Sequence, residues 1–386
     1  MKQRVYNGCD LLDTAAAKAL LAGRRLGLIT NMSGVTRELK TTSSCLHRRY
    51  DVRALFGPEH GIRGAAQAGG HDTQALTDPE TGIPVYDLFG GAAREQTAEV
   101  LSSLDAVVFD IQDIGVRYYT YQYTMLDAMK LYRDAGIPFI VLDRINPLGG
   151  VRVLGNRMEA DCTSGVGAVP GQPATAAMTV GELARWYNET MQLHTEIAVL
   201  PCEGLTRQTC MEDTDLLFVP PSPNMPTLDA VYLYPGTCFF EGTNLSEGRG
   251  TTKPFELFGA PWLEPERVTD AVSALHGDAG EAFSGLVLRP CSFTPTFHKY
   301  AGELCRGLQL HIRDRASADP YAVGLYLLQI LRLLYPEQCT FSAFLPHLVG
   351  TRSILDPAFD ARDYLQKQIP ALDSFRAERR AYLLYD

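Results

Sequence analysis

An α/β fold is predicted, a Rossmann-like parallel sheet domain joined to a second, smaller α+β domain across an interdomain cleft, and three observations point to it. Short apolar runs alternate with helical stretches through the first 150 residues, the pattern of parallel strands covered by helices on both faces. A polar side chain follows each of these runs. At 386 residues the chain exceeds the size at which one hydrophobic core keeps growing.

The elements follow in order. Leu11 to Ala22 is rich in Ala and Leu and reads as a helix, and Arg25-Leu-Gly-Leu-Ile-Thr30 as a strand. Asp51 to Phe56 is a second strand, Ala92 to Leu104 a helix, Asp105 to Ile111 a third strand, Tyr121 to Ala135 a helix and Pro138 to Leu142 a fourth strand. Asn31, Glu59, the group Asp110, Asp113 and Arg117, and the group Asp143, Arg144 and Asn146 come after strands one to four. In a parallel sheet these all fall on the carboxyl edge, where such folds bind ligands. Asn31 and Asn146 suit turn formation.

Beyond Thr179 an amphipathic helix and a strand at Glu196 to Leu200 are expected. Val219-Pro-Pro-Ser-Pro-Asn-Met-Pro226 can be neither helix nor central strand and should form a rigid wall or crossing. We place the domain boundary near 245, giving 1–245 and 246–386. The second domain has strands at Gly285 to Leu288 and Leu308 to Ile312 and a helix at Ala322 to Leu334.

Composition removes several classes of function. The 35 basic and 45 acidic residues leave a formal charge of −10, which disfavours nucleic acid and anionic membranes as partners. No protein partner is evident. Nine cysteines without a CxxC pair suggest neither a disulfide framework nor a zinc ribbon. The first residues lack the apolar core of a signal peptide, so the chain as written is expected in the cytoplasm, or outside it if a leader has been removed. The turn Asn31-Met-Ser-Gly-Val-Thr-Arg37 lacks GxGxxG, and neither a Walker A, HExxH nor GxSxG pattern occurs. No cofactor and no metal is expected, although Asp110 with Asp113 would be a conceivable cation pair.

Gly57-Pro-Glu-His-Gly-Ile-Arg-Gly64 carries most of the functional signal. Three glycines and a proline fix a turn directly after a buried strand, and that turn holds Glu59, His60 and Arg63. The long insertion over 57–91 suits an active-site loop. A second dense polar segment, Phe239 to Pro254, holds Glu241, Asn244, Glu247, Arg249 and Lys253. Glycoside hydrolysis uses two carboxylates flanking one bond, and Glu59 with Glu241 or Glu247 would supply them. The competing structural reading is that Glu241 and Glu247 form ion pairs with Arg249 and Lys253. The tyrosines at 118, 119, 121 and 123 read as packing at a helix start.

GPEHGIRG at Gly57, FDIQDIGVRYYTY from Phe109, LDRINPLGG from Leu142, PPSPNMPT from Pro220, EGTNLSEGRGTTKPFELFGAPW from Glu241 and FTPTFHKYAGELCRGLQLHI from Phe293 together resemble the exo-β-N-acetylmuramidases. These are peptidoglycan-recycling glycosidases long catalogued as a domain of unknown function. The resemblance covers nearly the whole chain. It implies release of terminal N-acetylmuramic acid (MurNAc) from non-reducing ends of peptidoglycan-derived disaccharides or muropeptides, with Glu59 as catalytic acid. Glu241 or Glu247 would be base or nucleophile, and substrate assistance by the 2-acetamido group, polarised by Asp110 or Asp113, is a third route. Arg63, Arg117, Arg249 and Lys253 are the cations for the lactyl carboxylate; His60, Asn224 and Asn244 would line the cleft. One departure stands out: Thr175-Ala176-Ala177 replaces the Arg-His-Gly typical of the family. A non-catalytic muropeptide-binding protein is therefore the alternative.

Overall fold

The computed structural model describes residues 2–58, 61–63, 77–88 and 100–386. Its strands are β1 (Arg25–Thr30), β2 (Asp51–Gly57), β3 (Val85–Asp87), β4 (Ala106–Asp110), β5 (Phe139–Leu142), β6 (Leu154–Arg157), β7 (Pro173–Thr175), β8 (Ile197–Leu200), β9 (Leu257–Ala260), β10 (Leu286–Phe293) and β11 (Cys305–Ile312). The α-helices among the described residues are α1 (Ala15–Leu21), α2 (Thr42–His47), α3 (Tyr121–Asp134), α4 (Val180–Thr190), α5 (Leu228–Thr237), α6 (Pro265–Ser273), α7 (Asp278–Ala282), α8 (Pro320–Leu334), α9 (Leu345–Val349) and α10 (Ala361–Glu378).

Six strands form one parallel sheet in the order β3-β2-β1-β4-β5-β8. The chain winds outward from β1 in one direction and from β4 in the other, so the topological switch lies between those strands. Every residue of β4 and β5 is buried, which explains their unbroken apolar character: helices cover both faces. Thr30 ends β1 and donates its hydroxyl to the Asp110 carbonyl at the end of β4, 3.0 Å away. At the end of β5, Asp143 accepts from Thr179 Oγ1 at 2.7 Å and from the Gly181 N–H at 2.8 Å. Thr179 also forms a reciprocal capping box with Glu182, which fastens the start of α4 to the carboxyl edge.

The remainder contains an antiparallel sheet in the order β10-β11-β9 and the pair β6-β7. Helices α5 and α8 cross at glycine: a Cβ on Gly236 would lie 1.9 Å from the Pro320 carbonyl, and one on Gly324 would lie 2.6 Å from the Gly236 Cα. Backbone approach this close admits no side chain at either position. One apolar cluster runs from Ile29 and Phe109 in the parallel sheet through Phe239 and Phe258 to Leu331 and Phe375.

The expected strand at 25–30 has those bounds, and the second and fourth differ by one residue. The first helix starts at Ala15, where Thr14 caps it, because Gly8–Asp10 is a separate 3-10 turn. The strand expected to stop at Leu288 continues to Phe293 through Pro290; β10 is an edge strand, where proline sacrifices no ladder bond. Residues 92–99 of the helix expected at 92–104 lie outside the described residues. No helix among the described residues is long and apolar enough to cross a membrane.

Candidate active site

Glu59 and His60 lie outside the described residues, whereas Gly57 and Pro58 before them and Gly61 to Arg63 after them are described. Gly57 closes β2 at the carboxyl edge beside β1, with Ile29 paired to Phe56. A cavity of about 210 Å³ opens there, lined by Thr30, Asn31, Ile62, Arg63 and Asp78 among others. Arg63 donates to the wholly buried Asp78 while its own side chain stays 40% exposed. Burial would raise the Asp78 carboxyl, but Thr81 and Arg63 outweigh it and hold the group below its ordinary value. Asn31 is a turn former, accepting from the N–H and hydroxyl of Ser33 and donating to the Pro221 carbonyl at 3.1 Å. Tyr121 donates to that same carbonyl at 2.8 Å, so the proline-rich segment is held against the ends of β1 and α3 at Pro221.

From Tyr121 a run of buried rings crosses to the second polar segment. Tyr119 meets Tyr121 edge-on at 5.2 Å, Tyr234 at 5.9 Å, and Tyr234 meets Phe255 at 4.7 Å. The Arg249 guanidinium lies over Phe255 at 5.1 Å. Around it gather the groups that the sequence singled out. Arg249 binds Glu241 through Nε and Nη2 and comes within 3.5 Å of Glu247. Glu247 has no exposed side-chain surface and is also met by Lys299 at 3.1 Å and His298 at 3.0 Å. Burial opposes its charge, yet His298, Lys299 and Arg249 together keep its carboxyl below the ordinary range.

Several sequence-level assignments change. Glu247 is wholly buried and meets Arg249, His298 and Lys299, so its side chain has no exposed surface to offer a sugar in this structure. Arg117 is buried too, and its Nη atoms donate to Asn156, Gln172 and Val349, not outward to where a ligand could reach them. Asp110 is not free to polarise an acetamide or hold a cation, because Arg144 grips both its oxygens at 2.6 and 2.9 Å. Asn244 is a structural clasp, donating to the Gln338 carbonyl and accepting from the Thr340 N–H. Asn224 is buried in the proline-rich turn. Lys253 pairs with Glu256 at 2.8 Å instead of with Glu241 or Glu247.

Asp113 is different. Its Oδ2 accepts from the Gly115 N–H at 2.7 Å and Gln122 at 2.9 Å, while Oδ1 is buried without a hydrogen bond, and burial raises its pKa to about 6. Sequence reasoning missed Asp78, Glu256, Lys299 and His298 as partners. Only the last two carried a signal, an adjacent His-Lys pair inside the motif from Phe293. At Ala177 the backbone has φ of +51°, the left-handed region that glycine adopts most easily. The structure thus keeps the conformation of a glycine at the position where the family pattern has one.

Two further features lie apart. A cavity of about 700 Å³ occupies the face of α5 formed by Leu228, Val231, Tyr232 and Pro235, and none of the sequence-predicted site residues lines it. Glu159, Asp161 and Cys162 have ligand-capable atoms within 4.8 Å of one another, but Asp161 is already paired with Arg352 at 2.8 Å.

Comparison with known proteins agrees with this architecture. The family description "Exo-beta-N-acetylmuramidase NamZ, N-terminal" matches residues 26–229 and its C-terminal counterpart residues 232–385. The chain is 40% identical to the peptidoglycan β-N-acetylmuramidase NamZ of Bacillus subtilis, over 100% of this chain and 92% of that protein. Two DUF1343 family proteins of Bacteroides fragilis have similar crystal structures. One superposes with a TM-score of 0.86 at 33% identity over 100% of both chains. The other gives 0.77 at 29% identity over 99% of both. With both domain patterns present in order and a full-length relative at this identity, the chain belongs to the exo-β-N-acetylmuramidase NamZ family.

Proposed function

We infer that this protein is an exo-acting glycosidase that releases terminal β-linked MurNAc from the non-reducing ends of peptidoglycan fragments. The observation that carries the reading is the full-length kinship to a peptidoglycan β-N-acetylmuramidase. In sequence Glu59 comes two residues after Gly57, the last residue of β2, and four before Arg63, which lines the cavity at that edge. In this mechanism Glu59, protonated, donates to the glycosidic oxygen as the bond to the anomeric carbon breaks. The exposed edge of Arg63 takes the lactyl carboxylate, which distinguishes MurNAc from N-acetylglucosamine (GlcNAc). The Glu241 to Lys299 cluster provides the group that handles water on the other side of the sugar.

The test is incubation with a chromogenic β-MurNAc glycoside beside its β-GlcNAc analogue. Release from the first and little from the second is expected. Saturable binding of MurNAc ligands without any release of sugar would establish the non-catalytic muropeptide-binding alternative.

A further inference from the structure

We propose that His298, oriented by Glu247, is the second proton-transfer group of the hydrolysis. The proposal rests on the glycosidase reading above.

Glu247 is wholly buried, so its charge acts only through a neighbour, and three are available. Lys299 is consumed by the carbonyls of Phe240 and Leu245, at 2.7 and 2.9 Å, as well as by Glu247. Arg249 is consumed by Glu241. His298 alone is outward-facing: its side chain is 46% exposed, and Nδ1 sits 3.0 Å from Glu247 Oε1. No other hydrogen bond of its ring is present among the described residues. The ring N–H is not yet in line, since Oε1 lacks an aligned donor; catalytic hydrogen bonds commonly tighten only when substrate binds. A carboxylate on Nδ1 fixes that nitrogen as the protonated one and leaves the lone pair on Nε2.

The backbone supports the same assignment. His298 has φ of +69° and Tyr300 of +56°, left-handed conformations that are unfavourable for residues with a side chain and persist only when the surroundings enforce them. Enforcement is visible. Thr296 bonds the Gly250 carbonyl through both N–H and hydroxyl, each at 2.9 Å. A Cβ on Gly250 would strike Phe297 at 2.6 Å. A plain surface ion pair needs no such clamp.

In the step where water bonds to the anomeric carbon, Nε2 accepts a proton from that water. The glycosidic C–O bond breaks with its electron pair on the leaving oxygen, which takes the proton from Glu59. The imidazolium then returns its proton to solvent and Glu59 is reprotonated, so one glycoside and one water give MurNAc and the free alcohol. Of the charged groups around it, Glu247 meets the ring, Arg249 and Lys299 meet Glu247 in turn, and Glu241 pairs with Arg249.

The test compares the parent with His298→Asn on a β-MurNAc disaccharide. Asparagine tolerates the left-handed backbone and can still donate to Glu247 but cannot take up a proton. The expected result is an unchanged melting temperature, kcat lowered by about 10²- to 10⁴-fold, KM within a few fold, and partial recovery on adding imidazole. If H298N melts early, His298→Gly with and without imidazole decides, because glycine suits this φ. Recovery of tenfold or more supports the role and none overturns it. An active parent with H298N within threefold in kcat, or altered in KM alone, overturns the proposal by itself. A parent that turns over no MurNAc glycoside overturns the glycosidase reading and this proposal with it.

Discussion

Arg249 directs Nε and Nη2 at the same oxygen of Glu241, at 2.8 and 2.6 Å. Held this way, with its side chain only 16% exposed, Arg249 is a brace between two carboxylates and has little left to offer a ligand. Arg63, bonded to Asp78 and 40% exposed beside the small cavity, is the cation with a free edge. The division of labour is electrostatic: Arg249 together with Lys299 balances Glu241 and Glu247, whereas Arg63 keeps an edge toward solvent.

Arg63→Met should therefore erode the preference for MurNAc over GlcNAc glycosides. A charge-assisted contact is worth roughly 1.5–3 kcal/mol, so the ratio of the two kcat/KM values should fall by about one to two decades. An unchanged ratio would move the lactyl site elsewhere.

Glu59→Gln should abolish turnover of an unactivated disaccharide while the protein still folds and binds, because the amide keeps the shape but has no acidic proton. The expected loss is about 10²- to 10⁴-fold in kcat. Activity within a few fold of the parent would exclude Glu59 as the acid.

Gly324→Ala should destabilise the protein by about 1–3 kcal/mol in urea unfolding, the usual result of forcing a methyl into a filled crossing. The new Cβ would meet the Gly236 backbone at 2.6 Å and Phe239 Cδ2 at 2.8 Å, neither of which can swing aside as a flexible chain end would. Gly302→Ala is the matched control. It has φ of +79° with nothing within 4 Å, so its cost is backbone strain without a clash. Equal losses for the two would show that the helix crossing relaxes.

How much was legible in the sequence divides along one physical line. Strands such as Arg25–Thr30 and Phe139–Leu142 announce themselves by local apolar runs, and the carboxyl-edge position of Asn31, Gly57 and Asp110 follows from parallel topology alone. What those side chains touch depends on partners far away in sequence. Asp110 belongs to Arg144, 34 positions on; Glu247 belongs to Lys299, 52 positions on; Arg117 reaches the Val349 carbonyl, 232 positions on. No local pattern marks Arg117 as buried, since an arginine after a strand looks the same whether carbonyls or substrate receive it. Helix α5 was hidden for a different reason: Pro235 and Gly236 look like breakers, but they stand at its last turn and at the close crossing with α8.

Asp113 gives a prediction in pH. Burial raises its carboxyl from an ordinary 3.8 to about 6, so between those values the folded protein holds a proton that the unfolded chain has released. The native state binds more protons there, and stability from this group falls as pH rises through the window and is level above it. A shift of this size corresponds to roughly 3 kcal/mol. Asp113→Asn removes the titration at little structural cost. The amide oxygen can still accept from Gly115 and Gln122, while the NH₂ takes the place of Oδ1, which has no hydrogen bond to lose. Asp143, also raised to about 6 by burial, is present in both proteins and cancels in the difference. The stability of D113N relative to the parent, from urea unfolding at several pH values, should therefore rise between about pH 4 and pH 6 and stay constant above that. A difference independent of pH would mean that Asp113 is ionised throughout this range in the folded protein, held there by a partner beyond Gly115 and Gln122.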